Sequence, residues 1–298
     1  MSGALAATEP SLPSVVRDAM RLAGSARREG RLDRAVAMLE SALEQLRAEP
    51  LGAPFLGRVQ LGLALADALL DTGERDRARR LLLDESGYAE RIFHLTRLSG
   101  NAEQQRAASA GRLQVRDRAA QVELLGQPAP EIDVADWVLG EPTALADLRG
   151  QVVLLDFWAT WCRPCLDLMP HLSGLHQRYA ARGLAIMALT RYGQAAAGAQ
   201  QVEARASERE LVRTVIAGRG LDDIRVGIAP DARLQRRYGA MGVPTLVLID
   251  RSGLVRLIAS GGDEAALESA IEVCLQEQEP PTTAPSPCAG GGFGFLGL

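Results

Sequence analysis

The sequence predicts an all-helical domain followed by an α/β domain. Residues 12–125 are rich in Ala, Leu, Arg and Glu, carry apolar residues at helical spacing and contain few β-branched runs. Beyond them, apolar strand-like runs alternate with helical segments, and the run 152–158 leads directly into a Cys-x-x-Cys motif at 162–165. With 298 residues, 47% of them apolar, the chain can bury a core in each of two domains.

Two stretches of the helical region are similar at an offset of 43 residues, from Gly30 to Gly73. Residues 30–35 are Gly-Arg-Leu-Asp-Arg-Ala, and residues 73–78 are Gly-Glu-Arg-Asp-Arg-Ala. In each we expect the Gly to end one helix and the small Ala to let the next helix pack closely, as in a tetratricopeptide motif. Residues 1–125 are therefore predicted to form a degenerate, tetratricopeptide-like domain, which serves either as a partner-binding groove or as a passive helical appendage.

The Cys-x-x-Cys motif has the layout of a dithiol redox site. It follows an apolar strand and begins a predicted helix, where free backbone N–H groups and the positive end of the helix dipole stabilise a thiolate. Cys162, at the exposed helix start, is the expected nucleophile. Cys165 follows nearly one turn later on the same side, where it can resolve the mixed disulfide that Cys162 forms with a substrate. We expect the pair to cycle between dithiol and disulfide.

Residues 155–165, Leu-Asp-Phe-Trp-Ala-Thr-Trp-Cys-Arg-Pro-Cys, resemble the active-site strand and loop of the thioredoxin superfamily. Pro170, five residues after the second Cys, matches the proline that kinks the family's active-site helix. Residues 242–245, Gly-Val-Pro-Thr, resemble its cis-proline loop. Residues 126–130, Gly-Gln-Pro-Ala-Pro, are similar to the opening of the TlpA/ResA-like disulfide reductases. The resemblance covers 126–279, about half of the chain.

The resemblance implies a thioredoxin-like domain over 126–279, with a central mixed sheet flanked by helices. It also implies that Pro244 lies opposite Cys162 and that the backbone of Val243 pairs with an extended substrate segment. The implied substrate-binding residues are Trp161, Val243 and Pro244, and the implied active-site loop residues are Arg163 and Pro164. The expected elements are an edge strand near 132–134, strands at 152–158, 184–189, 246–250 and 254–259, an inserted helix and strand within 205–228, and helices from 163, at 231–240 and at 263–278.

Asp156 departs from the TlpA/ResA-like group, which commonly has Asn at this position, and resembles the buried acid of classical thioredoxins. Burial there would raise the pKa of the carboxyl and let it shuttle the proton of Cys165. Alternatively, Asp156 only fills the family position. A second departure is Leu168, where the group usually has Glu; Asp167 stands beside it.

Two other kinds of site use similar residues. A structural zinc site would need a second Cys or His pair, and the remaining Cys274, Cys288, His94, His171 and His176 form none in the sequence. A peroxidatic cysteine would need a Pro and a Thr at fixed spacing upstream, which residues 159–162 do not supply. Neither a metal nor an organic cofactor is therefore expected.

Composition narrows the possible partners. A net charge of −4 gives no indication of nucleic-acid binding. All 33 basic residues are Arg, and the absence of lysine excludes a P-loop lysine and Schiff-base chemistry. The sequence has no run of 18 or more apolar residues and no export signal near its first residues, so the expected location is the cytoplasm. The family resemblance favours the periplasm as the alternative.

The last residues, 280–298, are rich in Pro and Gly and are predicted to form a flexible tail. Cys288 in this tail is either a bystander or a third redox thiol. Cys274, in the closing helix, is expected to be a buried free thiol that packs as a small apolar side chain.

Together these features predict a thiol-disulfide oxidoreductase that reduces protein disulfides and receives electrons from another dithiol protein. Pro164 is the second residue between the two cysteines, a position where reducing members of the family resemble this chain. The positive charge of Arg163 should favour the thiolate form of the cysteine pair. The alternative is a redox-sensing scaffold, in which the helical domain binds a client protein and the cysteine pair reports the redox state.

Overall fold

The computed structural model describes residues 13–48, 55–193, 199–261 and 264–277; the predicted tail with Cys288 lies outside them. The chain divides into two compact units, Met1–Val115 and Arg116–Leu298. The division falls ten residues before the predicted start at 126.

The first unit is built from helices, as the sequence predicted. They are α1 (Ser14–Arg28), α2 (Leu32–Ala48), α3 (Phe55–Asp71), α4 (Arg75–Ser99) and α5 (Ala102–Leu124), of which α5 continues into the second unit. Helix α1 packs against α2, α2 against α3, and α3 against α4, so that consecutive helices form hairpins.

The turns α1–α2 and α3–α4 have the same hydrogen bonds. Gly30 and Gly73 both have positive φ, 72° and 79°, which a glycine adopts without steric cost. The next residue in each turn donates its N–H to a carbonyl five residues earlier: Arg31 to Ala26, and Glu74 to Leu69, both at 2.8 Å. Both predicted small residues, Ala35 and Ala78, are fully buried. The shared geometry supports a repeated hairpin; a tetratricopeptide-like repeat stays a prediction.

A buried charge cluster connects α2, α3 and α4. Glu85 on α4 is 1% exposed and binds two guanidinium groups, Arg58 on α3 at 2.8 Å and Arg47 on α2 at 2.7 Å. The guanidinium carbon of Arg58 lies 3.6 Å from the ring centroid of Tyr88. Arg58 is also buried, so the Glu85 carboxylate is needed to compensate its positive charge.

Replacing Glu85 with alanine should lower the free energy of unfolding by about 3 kcal/mol, because Arg58 would stay buried without its carboxylate. Urea denaturation followed by circular dichroism measures this change. Asp84→Ala removes the exposed neighbouring carboxylate and should change stability by no more than about 0.5 kcal/mol. Equal losses in the two variants would contradict the assignment.

The second unit contains a six-stranded sheet in the order β1-β4-β3-β2-β5-β6. Its strands are β1 (Asp136–Leu139), β2 (Val152–Phe157), β3 (Leu184–Arg191), β4 (Arg225–Ala229), β5 (Thr245–Ile249) and β6 (Val255–Ser260). Strands β2, β3 and β4 are parallel, whereas β1, β5 and β6 each run antiparallel to the neighbour they pair with. The other helices are α6 (Arg163–Tyr179), α7 (Ala199–Ile216), α8 (Arg233–Tyr238) and α9 (Glu264–Gln276). The predicted mixed sheet flanked by helices is confirmed.

The two faces of the sheet are covered by different helices. On one face, Leu154 of β2 belongs to an apolar cluster with side chains of α6 and α9, such as Met169 and Ile271. On the opposite face, the ring of Phe157 lies 5.2 Å from that of Tyr238 on α8. Strands β2 and β5 are buried along their whole length, which explains their continuous apolar sequence.

The first strand begins four residues later than the predicted edge strand at 132–134. Asp136 is its first residue and pairs with Ile228 of β4. Val134 packs over Gly227 instead: a Cβ added to that glycine would lie 2.9 Å from Val134 Cγ1. The apolar alternation at 132–134 therefore marks a partly buried side chain and not strand pairing.

Candidate active site

The cysteine pair lies where β2 ends and α6 begins. Cys162 is the N-cap residue of α6, and its Sγ accepts a hydrogen bond from the backbone N–H of Cys165 at 3.3 Å. Pro164 occupies the first helical turn, where the missing N–H costs no helical hydrogen bond. The helix runs on through Pro170 to Tyr179. Both sulfurs are thus held at the N-terminus of a helix, where a thiolate is stabilised.

The two cysteines form a disulfide, with Cα atoms 5.3 Å apart. Cys165 is fully buried and Cys162 is 4% exposed. The sequence predicted an exposed Cys162; in the disulfide it belongs to the apolar cluster that also contains Trp158 and Leu168. Leu168, which replaces the Glu usual in the TlpA/ResA-like group, belongs to the same apolar cluster.

Asp156 is fully buried in the middle of the sheet, between Ala188 of β3 and Leu246 of β5. Strand alternation puts it on the same face as Leu154 and Trp158, which pack in the cluster with both cysteines. Neither carboxylate oxygen has a hydrogen-bond partner among the residues that the structure describes. Burial alone raises the pKa of Asp156 to about 7, so the carboxyl can gain or lose a proton at neutral pH.

The Val243–Pro244 peptide bond is cis, as the resemblance implied. Thr245, which follows it, is paired with Phe157 at the end of β2. Pro244 therefore lies at the same end of the sheet as Trp158, where the loop to the cysteines begins. Val243 and Pro244 are half-buried, and Val243 packs against the cluster that contains the cysteines.

The residues between and before the cysteines face solvent. Trp161 is 79% exposed, an unusual position for so large an apolar side chain. Arg163 and Pro164 are also exposed, and Arg163 forms an ion pair with Asp167 one turn along α6 at 3.0 Å. Because its charge is shared with Asp167, Arg163 stabilises a Cys162 thiolate less than an unpaired guanidinium would.

Two further residues hold the loop that leads to Pro244, and the sequence did not predict this role for them. Asp117 accepts a hydrogen bond from Gly242 N–H at 3.0 Å, and Gln121 donates to the carbonyl of Gly239 at 2.7 Å. Both lie on α5, which the sequence assigned wholly to the helical domain. Since their partners are more than 100 residues away in the sequence, no local pattern could have revealed them.

The described residues contain no group of three or more His, Cys, Asp or Glu side chains that could hold a metal ion. Cys274, away from the pair in sequence, is buried on α9 and takes no part in the disulfide. Among the helices within the described ranges, none is both long and apolar enough to span a membrane.

Comparison with known proteins agrees with this geometry. Residues 125–258 match the AhpC/TSA family. The thioredoxin-like protein YneN of Bacillus subtilis is 33% identical over 136 residues, which are 46% of this chain and 71% of YneN. The thiol-disulfide oxidoreductase ResA of Geobacillus thermodenitrificans is 31% identical over 137 residues, 46% of this chain and 70% of ResA.

A crystal structure of a thiol:disulfide interchange protein of the thioredoxin family from Chlorobium tepidum covers 50% of this chain and 95% of its own, at 24% identity and a TM-score of 0.40. This chain matches both YneN and ResA over most of their own length. That likeness shows that the chain belongs to the thioredoxin-like thiol-disulfide oxidoreductases.

Proposed function

We propose that this protein is a reductase of protein disulfides that uses Cys162 and Cys165 as its dithiol. The observation that carries the proposal is the pair itself: a disulfide at the N-terminus of α6, on the same face of the sheet as the buried Asp156. The names of its relatives, which are thiol-disulfide oxidoreductases, support this chemistry.

In the first step the Cys162 thiolate attacks one sulfur of a substrate disulfide. A mixed disulfide forms between Cys162 and the substrate, and the other substrate sulfur leaves as a thiolate that takes a proton. The helix N-terminus favours the attacking thiolate through the hydrogen bond from Cys165 N–H and the helix dipole.

In the second step Cys165 resolves the mixed disulfide. Its thiol gives a proton to the Asp156 carboxylate, and the resulting thiolate attacks Cys162 Sγ. The second substrate sulfur leaves as a thiolate and takes a proton from water, and Asp156 returns its own proton to water. The substrate has then gained two electrons and two protons, and the enzyme holds the Cys162–Cys165 disulfide. Another dithiol protein returns the two electrons, and no organic cofactor takes part.

Trp161, Val243 and Pro244 are proposed to bind the substrate. Trp161 offers a large exposed apolar surface directly before Cys162, and the half-buried Val243 packs against the apolar cluster that contains both cysteines. An extended segment that pairs with the backbone of Val243 would bring its disulfide toward Cys162. The active-site loop residues Arg163 and Pro164 border this surface and, being exposed, can contact the substrate.

Catalysis of disulfide exchange is tested by insulin reduction with dithiothreitol as the electron source. The full chain should precipitate the insulin B chain faster than dithiothreitol alone. In the reduced protein, iodoacetamide near pH 7 should alkylate Cys162 well before Cys165, and buried Cys274 is the internal control for a slow thiol. Equal alkylation of Cys162 and Cys165, or no acceleration, would contradict the proposal.

A second candidate is the redox-sensing scaffold. A groove between α2, α3 and α4 favours it: its floor includes Leu43, Leu65 and Leu69, and its rim carries Arg and Glu side chains. In that case the helical domain binds a client protein, and the pair responds to redox state without turnover. The insulin assay separates the two, because a scaffold would not reduce insulin catalytically. The cytoplasmic location and the predicted domains 1–125, 126–279 and 280–298 stay predictions.

A further inference from the structure

The loop that carries Pro244 is fixed from outside the sheet. This loop, residues 239–244, joins α8 to β5, and Val243 and Pro244 are its last two residues. The elements on either side hold it in part: Thr245 Oγ1 of β5 donates to the carbonyl of Gly242 at 2.7 Å, and Ala240 N–H donates to the carbonyl of Gln235 on α8 at 2.8 Å. Further polar contacts come from the C-terminal part of α5, which lies in the same compact unit.

Asp117 and Gln121 stand four residues apart on α5, so they point to the same side of that helix. Asp117 Oδ2 accepts the hydrogen bond from Gly242 N–H at 3.0 Å, and its carboxylate is also hydrogen-bonded to the backbone of Met241. Gln121 Nε2 donates to the Gly239 carbonyl at 2.7 Å. One helix face therefore holds both ends of the segment that leads to Val243.

The approach between the helix and the loop is close. Gly239 has a φ of +61°, and a Cβ added there would lie 2.3 Å from the carbonyl oxygen of Asp117. Only a glycine lets the loop adopt this conformation and come this near to the helix backbone. The loop therefore lies directly against the backbone of α5, and the hydrogen bonds of Asp117 and Gln121 join the two at this close contact.

Asp117 lies against the loop although burial disfavours the charged form of its carboxyl. Burial raises the pKa of Asp117, and the hydrogen bonds from Gly242 and Met241 work against that rise. Gln121 is 4% exposed, so its hydrogen bond to Gly239 is shielded from water. A carboxylate that accepts backbone N–H bonds holds a loop more strongly than a neutral acceptor would.

We infer that Asp117 and Gln121 are positioning residues that hold the 239–244 loop in the shape that extended protein substrates need. The inference rests on the proposed function, in which the backbone of Val243 pairs with the substrate. A displaced loop would weaken that pairing and leave the cysteines unchanged. The rate with a small disulfide, which reacts with Cys162 without pairing to Val243, should therefore stay the same.

The test compares two substrates in the full-length protein: insulin, and the small aromatic disulfide 5,5′-dithiobis(2-nitrobenzoic acid). Asp117→Ala should raise KM for insulin about tenfold while kcat stays within about twofold. The rate with the small disulfide should also stay within about twofold. Asp117→Asn, which keeps an acceptor oxygen for Gly242 N–H, should recover most of the loss. Glu103→Ala, an exposed acid on the same helix, is the matched control.

Gln121→Leu provides an independent variant that removes the hydrogen bond to Gly239, and it should show the same selective rise in KM. It decides the matter if Asp117→Ala does not unfold cooperatively on heating. An unchanged KM for insulin in a folded variant would overturn the inference, as would equal losses with both substrates or an Asn variant as poor as the Ala variant. If the unmodified protein itself does not reduce insulin, the proposed function fails instead.

Discussion

Replacing Cys162 with serine should abolish insulin reduction, a loss of at least ~10³-fold, because the hydroxyl does not supply the thiolate that attacks the substrate. Replacing Cys165 with serine should also stop turnover, but by another route. The first attack still occurs, and a mixed disulfide between Cys162 and the substrate accumulates because no thiol resolves it. Non-reducing gels and peptide mass spectrometry distinguish the two outcomes.

The matched control is Cys274→Ser, which removes a buried thiol of the same unit and should retain most of the activity. Retained turnover in Cys162→Ser would contradict the assignment of the nucleophile. Mixed disulfides through a residue other than Cys162 in the Cys165→Ser variant would do the same.

Replacing Asp156 with asparagine should stabilise the protein increasingly as pH rises. Burial raises the pKa of Asp156 from 3.8 to about 7, so between these values the folded protein holds a proton that the unfolded chain releases. The free energy of unfolding of the unmodified protein therefore falls as pH rises, by roughly 1.4 kcal/mol per pH unit for this group. Asn does not titrate, so the gap between the variant and the unmodified protein should widen by about 3 kcal/mol from about pH 5 to pH 8.

Chemical denaturation of both oxidised proteins at several pH values measures this gap. The control is Asp167→Asn, which replaces an exposed carboxylate on α6 and leaves the buried Asp156 in place. A constant gap for Asp156→Asn would show that the carboxyl is not protonated in the folded protein. The same variant should reduce insulin at least ~10-fold more slowly if Asp156 takes the proton of Cys165.

Local patterns predicted much of this molecule. The apolar run before the cysteines became the buried strand β2, because a strand covered on both faces has a continuous apolar sequence. The helix start at Cys162 followed from the position of the Cys-x-x-Cys motif directly after that apolar run. Gly30 and Gly73 marked the ends of α1 and α3, since both adopt the positive φ that ends a helix.

Contacts between distant residues could not be predicted in the same way. Helical periodicity on α5 gave no sign that Asp117 and Gln121 belong with the proline loop, because both partners lie more than 100 residues later. The Glu85 cluster likewise gathers charges from three helices. At the first strand, alternation indicated that Val134 packs against the sheet but could not tell which residues would pair with β4.

The most direct test of the dithiol assignment is a redox titration of the full-length protein in glutathione or dithiothreitol buffers, with trapped thiols mapped by mass spectrometry. We expect one reversible two-electron couple that involves Cys162 and Cys165 alone, with a potential close to that of thioredoxin, about −270 mV. A potential near −120 mV would indicate an oxidant and contradict the reductase assignment. Failure of the two cysteines to exchange reversibly between dithiol and disulfide would contradict the account as a whole.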